Sequence, residues 1–183
     1  MTVKVEVTPA TFTLVSFDAA EIAGLTVRAA EMGGISTGSI RVDVDESVPL
    51  AMSKVTDGDP IVLWVEGGAF EDPRTVRKLS PHAVQTVAVR LLTRIADRHT
   101  PAFADAPPDD ELSLPQLDAW DVWVLGRASR KGLGVNRQRW LYRFRNRHGF
   151  TDAADRAFEH LWSAETLTWS ELVAICGETT GIR

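Results

Sequence analysis

Between Thr100 and Pro115 the chain changes character, and that change sets what it can fold into. Prolines stand at 101, 107, 108 and 115, interleaved with Asp105, Asp109, Asp110 and Glu111. Proline fixes φ and removes a backbone donor, so a helix or strand ladder cannot run through such a stretch, and the carboxylates keep it in water. Residues 104–114 therefore read as a stiff linker between a unit at 1–103 and a unit at 115–183. Strand and helix patterns alternate before it, and every pattern after it is helical. The expected fold is α+β: a small mixed sheet with two packing helices, followed by a C-terminal unit of three to four helices. That unit either docks on the first as one globule or stands apart from it.

In the first unit, Val3–Val7 alternates with Lys4 and Glu6, and Phe12–Phe17 is rich in β-formers, so both read as short strands. Asp18 is placed to cap a helix running to Gly33-Gly34, with Ile22, Leu25 and Ala29 at helical spacing. Ile40, Val42 and Val44 alternate with Arg41, Asp43 and Asp45, the pattern of a strand with one wet face. Ser53–Val55 and Ile61–Glu66 flank Thr56-Asp57-Gly58-Asp59, a hairpin signal, and the apolar run 61–65 belongs in the middle of the sheet. Ser80-Pro81 opens the second helix. Its Val84, Val87, Ala88, Leu91, Leu92 and Ile95 form one apolar stripe, with Arg90, Arg94, Asp97 and Arg98 largely off it.

Beyond the linker, Pro115 opens a helix with Leu117, Trp120, Val124 and Ala128 on one face, and Trp123 off the stripe and partly exposed. Asn136 caps a helix to Arg147 that Gly149 closes. Thr151 or Asp152 caps the next, and the capping box Thr168-Trp169-Ser170-Glu171 starts a last one ending at Gly177.

Composition removes several classes. The longest apolar run, Ile61–Val65, is far short of the roughly 20 residues that cross a bilayer, so no membrane association is expected. The start Met1-Thr-Val-Lys-Val-Glu lacks a signal-peptide pattern, and the single Cys176 suits a reducing compartment, so the expected location is the cytoplasm. His82, His99, His148 and His160 form no zinc-binding pair, and no phosphate loop or nucleophile elbow is present, so neither cofactor nor catalytic residue is assigned. Cys176, beside Leu172, Val173 and Ile175, reads as a small buried hydrophobe.

Two weaker constellations stand out. Asp43 and Asp45 project to one face of their strand, and Glu66 ends the central strand near the rim. Together they are candidates for a metal-assisted hydrolase site, against the plainer reading as a solvated strand face. Arg74, Arg77 and Lys78 precede the helix that opens at Ser80. The unpaired amides there favour an anion, with a flexible Gly67–Leu79 loop to close over it, against the plainer reading as a charged surface loop.

The strongest functional signal is charge. Residues 127–148 hold eight Arg/Lys and no Asp/Glu, whereas residues 1–126 hold ten basic and nineteen acidic side chains. On a helix from Asn136, Arg139, Arg143 and Arg147 stack at i, i+4 and i+8, and like charges so placed repel by a few tenths of a kcal/mol per pair. Something must offset that repulsion. The basic face consists of Arg130, Lys131, Arg139, Arg143 and Arg147 with Tyr142 and Trp123. Its counterpart is Asp118, Asp121, Asp152, Asp155 and Glu159 of the same chain, an acidic protein partner, a second copy, or nucleic acid. A net charge of −5 disfavours nucleic acid. The reading is an interaction module that binds an acidic protein partner, or itself as a homo-oligomer, through an Arg/aromatic helix.

Overall fold

The computed structural model describes residues 3–181. The chain divides into two compact units, Met1–Ile95 and Ala96–Arg183, so the proline-rich segment falls inside the second.

The first unit is built in the order β1 (Lys4–Thr8), α1 (Ala19–Gly33), β2 (Ser39–Asp45), β3 (Ser53–Thr56), β4 (Ile61–Glu66), β5 (Glu71–Asp72), β6 (Thr75–Leu79) and α2 (Pro81–Arg98), whose last residues enter the second unit. The main sheet has the order β1-β2-β4-β3. β1, β2 and β4 are parallel, and β3 closes one side antiparallel to β4. Parallel neighbours need a crossover, and α1 supplies it between β1 and β2. Asp18 starts α1 by accepting from the amides of Ala20 (2.7 Å) and Glu21 (3.3 Å), and Gly34 at φ 91° ends it.

The register explains the sheet's two faces. Val7, Val42 and Leu63 align across β1, β2 and β4, Val44 and Val65 align across β2 and β4, and all are buried. Each fully buried side chain of this size contributes about 1.5–3 kcal/mol. The alternate rows, Glu6-Arg41-Val62-Thr56 and Thr8-Asp43-Trp64-Lys54, are half-buried to exposed, with Lys54 Nζ 5.6 Å from the centre of the Trp64 ring.

Three local expectations are corrected here. Phe12–Phe17 is not a strand. The Glu46 carboxylate accepts from the amides of Thr13 (2.8 Å) and Leu14 (2.6 Å), which removes the donors a ladder would use, and only an isolated bridge joins Ser16 to Lys78. Gly67–Leu79 is not an open loop, since a 3-10 turn at Gly67–Ala69 leads into the β5-β6 hairpin. Arg94 and Asp97 of α2 are buried at 3% and 6% exposure rather than turned to water.

In the second unit the elements are α3 (Leu114–Arg130), α4 (Arg137–His148), α5 (Asp152–Ser163) and α6 (Trp169–Thr180). Ser113 caps α3 in a capping box with Gln116, Asn136 caps α4, Thr151 caps α5 and Thr168 caps α6 in a box with Glu171. α6 runs past Gly177 to Thr180, and Gly181 at φ 68° ends it. Phe103 lies at the centre of an aromatic cluster, 4.7 Å from Trp120, 5.1 Å from Trp123 and 6.3 Å from Trp169 between ring centres. Asp97 is held against this cluster by both arms of Arg127 (3.0 and 2.6 Å) and by Trp120 Nε1 (2.9 Å). Buried charge persists only when paired in this way.

α3 and α5 meet closely because Gly126 has no side chain. A Cβ there would lie 2.2 Å from the Trp162 carbonyl oxygen. One turn to either side, Trp123 Nε1 donates to the Ala164 carbonyl (3.1 Å) and Arg130 donates to the carbonyls of Trp162 (2.6 Å) and Ala164 (2.9 Å). The C-terminal end of α5, whose last carbonyls lack helical partners, is thus satisfied by α3.

Candidate binding face on the fourth helix

α4 reads Arg-Gln-Arg-Trp-Leu-Tyr-Arg-Phe-Arg-Asn-Arg-His and contains no carboxylate. Asn136 Oδ1 accepts from the Arg139 amide at 3.1 Å, and the helix ends at Gly149, φ 95°. Trp140, Phe144 and His148, at i, i+4 and i+8, are its buried stripe at 8%, 0% and 2% exposure. Phe144 stacks on the His148 ring at 3.8 Å and meets Phe158 edge-on at 5.8 Å. His148 links three elements, with Nε2 3.0 Å from the Pro115 carbonyl and Nδ1 2.6 Å from the Thr179 hydroxyl. A carbonyl can only accept, so in the neutral ring Nε2 carries the proton and Nδ1 accepts. Burial pushes the His148 pKa below its usual value, against the pull of the Pro115 hydrogen bond.

The opposite side of α4 is open. Gln138, Arg139, Tyr142, Arg143, Asn146 and Arg147 are all exposed. Tyr142 is 58% exposed and Phe150, just past the helix end, 61%, and their rings meet edge to face at 5.7 Å. The guanidinium of Arg143 lies 5.1 Å from the Trp140 ring centre, which braces that side chain against the helix.

The arginines are partly offset from within. Asp118 on α3, buried beneath them, takes Arg143 at 2.8 Å and Arg147 at 3.5 Å. Burial pushes its carboxyl pKa up, and the two guanidinium groups only partly counter that. Asp118 Oδ2 lacks a hydrogen bond. Arg145 and Asp155 form a bidentate pair at 2.7 and 2.6 Å, which lowers the carboxyl pKa and raises that of the guanidinium, and Arg137 pairs with Glu159. Four of the five arginines of α4 thus share three carboxylates. Among the described residues no carboxylate lies within 4 Å of Arg139, and about half of the Arg143 and Arg147 side chains still faces water (49% and 47%).

The structure sorts the residues singled out by sequence. It gathers Arg139, Tyr142, Arg143 and Arg147 on one face. Arg130 lies on α3, donating to carbonyls, and Lys131 is exposed in the following turn. Trp123 was expected to be partly exposed and is buried at 4%, because it stacks on Phe103 and carries the Arg127 guanidinium 3.6 Å from its ring centre. Phe150 was missed. Its signal was a lone aromatic directly after the helix-ending glycine, where no apolar stripe accounts for it.

Of the other constellations, the register brings Asp45 opposite Glu66 across β2 and β4 with Asp43 on the same face, whereas the basic residues before α2 are spread along the β5-β6 hairpin. Asp43 is held by Arg41 Nε (3.0 Å), Asp45 accepts from the Ser47 amide and hydroxyl, and the buried Glu66 accepts from the Met52 amide (2.8 Å). Among the described residues, no three His, Cys, Asp or Glu side chains are grouped so as to hold a metal ion. Ser80 caps α2 by accepting from Ala83 (3.2 Å). Arg74 sits in the β5-β6 turn and Lys78 four residues on, roughly 13 Å away at strand rise. Arg77 adopts φ 63° with its carbonyl accepting from Ser16 at 2.7 Å. All three basic side chains are exposed along the hairpin. Among the described residues no helix is long and apolar enough to cross a membrane. No protein-family model, curated protein or solved structure matches this chain.

Proposed function

We propose that the chain is a non-catalytic interaction module of the cytoplasm whose working surface is the outer side of α4, and that it takes an acidic protein partner there. One observation carries the reading. Tyr142 and Phe150, two large rings each more than half exposed, lie together beside Arg139, Arg143 and Arg147. Exposed aromatics next to arginine are what interface anchors consist of, since the rings bury large area and the guanidinium groups fix orientation. Arginines without matching carboxylates on the same helix supply the complementary charge for an acidic surface.

Fluorescence anisotropy with a labelled acidic peptide and with a single-stranded DNA oligonucleotide tests this. The expected result is peptide binding that Tyr142→Ala and Arg139→Glu each weaken by about tenfold or more. Tighter binding of the DNA, falling steeply with salt, would replace the reading with nucleic-acid binding. Binding of neither would end both, as would a dimer abolished by Arg139→Glu, which would make a second copy the occupant.

A further inference from the structure

We infer that the partner segment docks on α4 as an amphipathic helix, with carboxylates at four-residue intervals along Arg139, Arg143 and Arg147 and an apolar residue against Tyr142 and Phe150. The inference rests on the proposed function of that face and specifies what fits it. Four residues along a helix advance ~6 Å, so the three arginines form a row of equal ~6 Å steps along one side of α4. Carboxylates at i, i+4 and i+8 of a second helix have the same period, so every guanidinium can meet one without either backbone bending.

The surroundings of α4 favour a helix over an extended segment. The second unit contains helices and turns but no strand among its described residues, so no sheet edge lies there for an added strand to pair with. The outer side of α4 is a convex helix surface. An extended segment laid on it would lose water from the amides and carbonyls facing the helix without gaining partners for them. A helix carries its own backbone hydrogen bonds and leaves only side chains to be matched.

The face also has a direction. The rings run from the middle of α4, at Tyr142, to beyond its end, at Phe150, whereas Arg139, which has no carboxylate partner among the described residues, sits in its first turn. Asp118 holds Arg143 and Arg147, which lie along the helix between Tyr142 and Phe150. A partner helix with its apolar residue at one end and its outermost carboxylate at the other fits in one orientation.

Two labelled peptides of identical composition test this. One carries glutamates at three successive four-residue steps with leucines adjoining them on one face, and the other has the same residues scattered around the helix. The patterned peptide is expected to bind at least tenfold tighter, to gain helical circular dichroism on mixing, and to lose about tenfold with Arg139→Ala while the protein's melting temperature stays unchanged. Equal affinity for both peptides, or binding without a gain of helix, would overturn the helical partner and leave the acidic-partner reading in place. Binding of neither peptide would overturn both.

Discussion

Arg143 holds the Asp118 carboxylate at 2.8 Å across the boundary between α3 and α4, and that carboxylate is 4% exposed. Burial dominates over the attraction, so the carboxyl pKa lies above the ordinary value of 3.8. The folded state therefore binds the proton more readily than the unfolded one, and the residue's contribution to stability falls as pH rises through the window above 3.8. Melting temperatures of wild type and Asp118→Asn between pH 4 and pH 7 check this. Acidification should shift the difference in favour of wild type.

His148 has the opposite sign. Its pKa is lowered from 6.5, so the unfolded state binds the proton first, and the stability it contributes is present above 6.5 and lost as pH falls below it. The wild-type melting temperature should drop between pH 7 and pH 5, and His148→Gln should flatten that part of the profile. An unchanged slope in the variant would assign the loss to other groups.

Gly126 tests the contact between α3 and α5. The 2.2 Å approach of a Cβ to the Trp162 oxygen is to backbone, which cannot swing aside as a side chain would. Gly126→Ala should destabilise the protein by about 1–3 kcal/mol, read by urea unfolding. Gly24→Ala, with nothing within 4 Å of its Cβ, is the matched control and should be neutral or stabilising by a few tenths of a kcal/mol to about 1 kcal/mol.

Cys176 is buried, and burial pushes its thiol pKa up to about 12. The thiolate is the reactive form, so iodoacetamide at pH 8 should leave Cys176 unmodified in the folded protein and alkylate it in denaturant. Mass spectrometry reads both states.

How far the sequence was legible depended on the range of the interaction responsible. Asp18, Asn136, Thr151 and Thr168 each hydrogen-bond amides two or three residues ahead, so the helices they start could be read from neighbours alone. The alternation in Ile40, Val42 and Val44 carried the wet and dry faces of β2 in the same way. The misreadings came from long range. Nothing near Thr13 shows that Glu46 will take its amide, and nothing near Asp97 shows that Arg127 and Trp120 will bury it. The α4 face was half legible. The arginine row follows from helical spacing, but its pairing with Asp118 on a neighbouring helix does not. The exposure of Phe150 depends on where the chain leaves Gly149.

The order β1-β2-β4-β3 leaves β1 and β3 as the outer strands of the sheet. They are five and four residues long, with Lys4, Glu6 and Lys54 among their exposed side chains. A strand from another molecule pairing there would find few hydrogen bonds and would have to accommodate those charges. The long apolar strand β4 is enclosed between β2 and β3, so the segment most prone to cross-β aggregation becomes accessible only if the sheet itself opens.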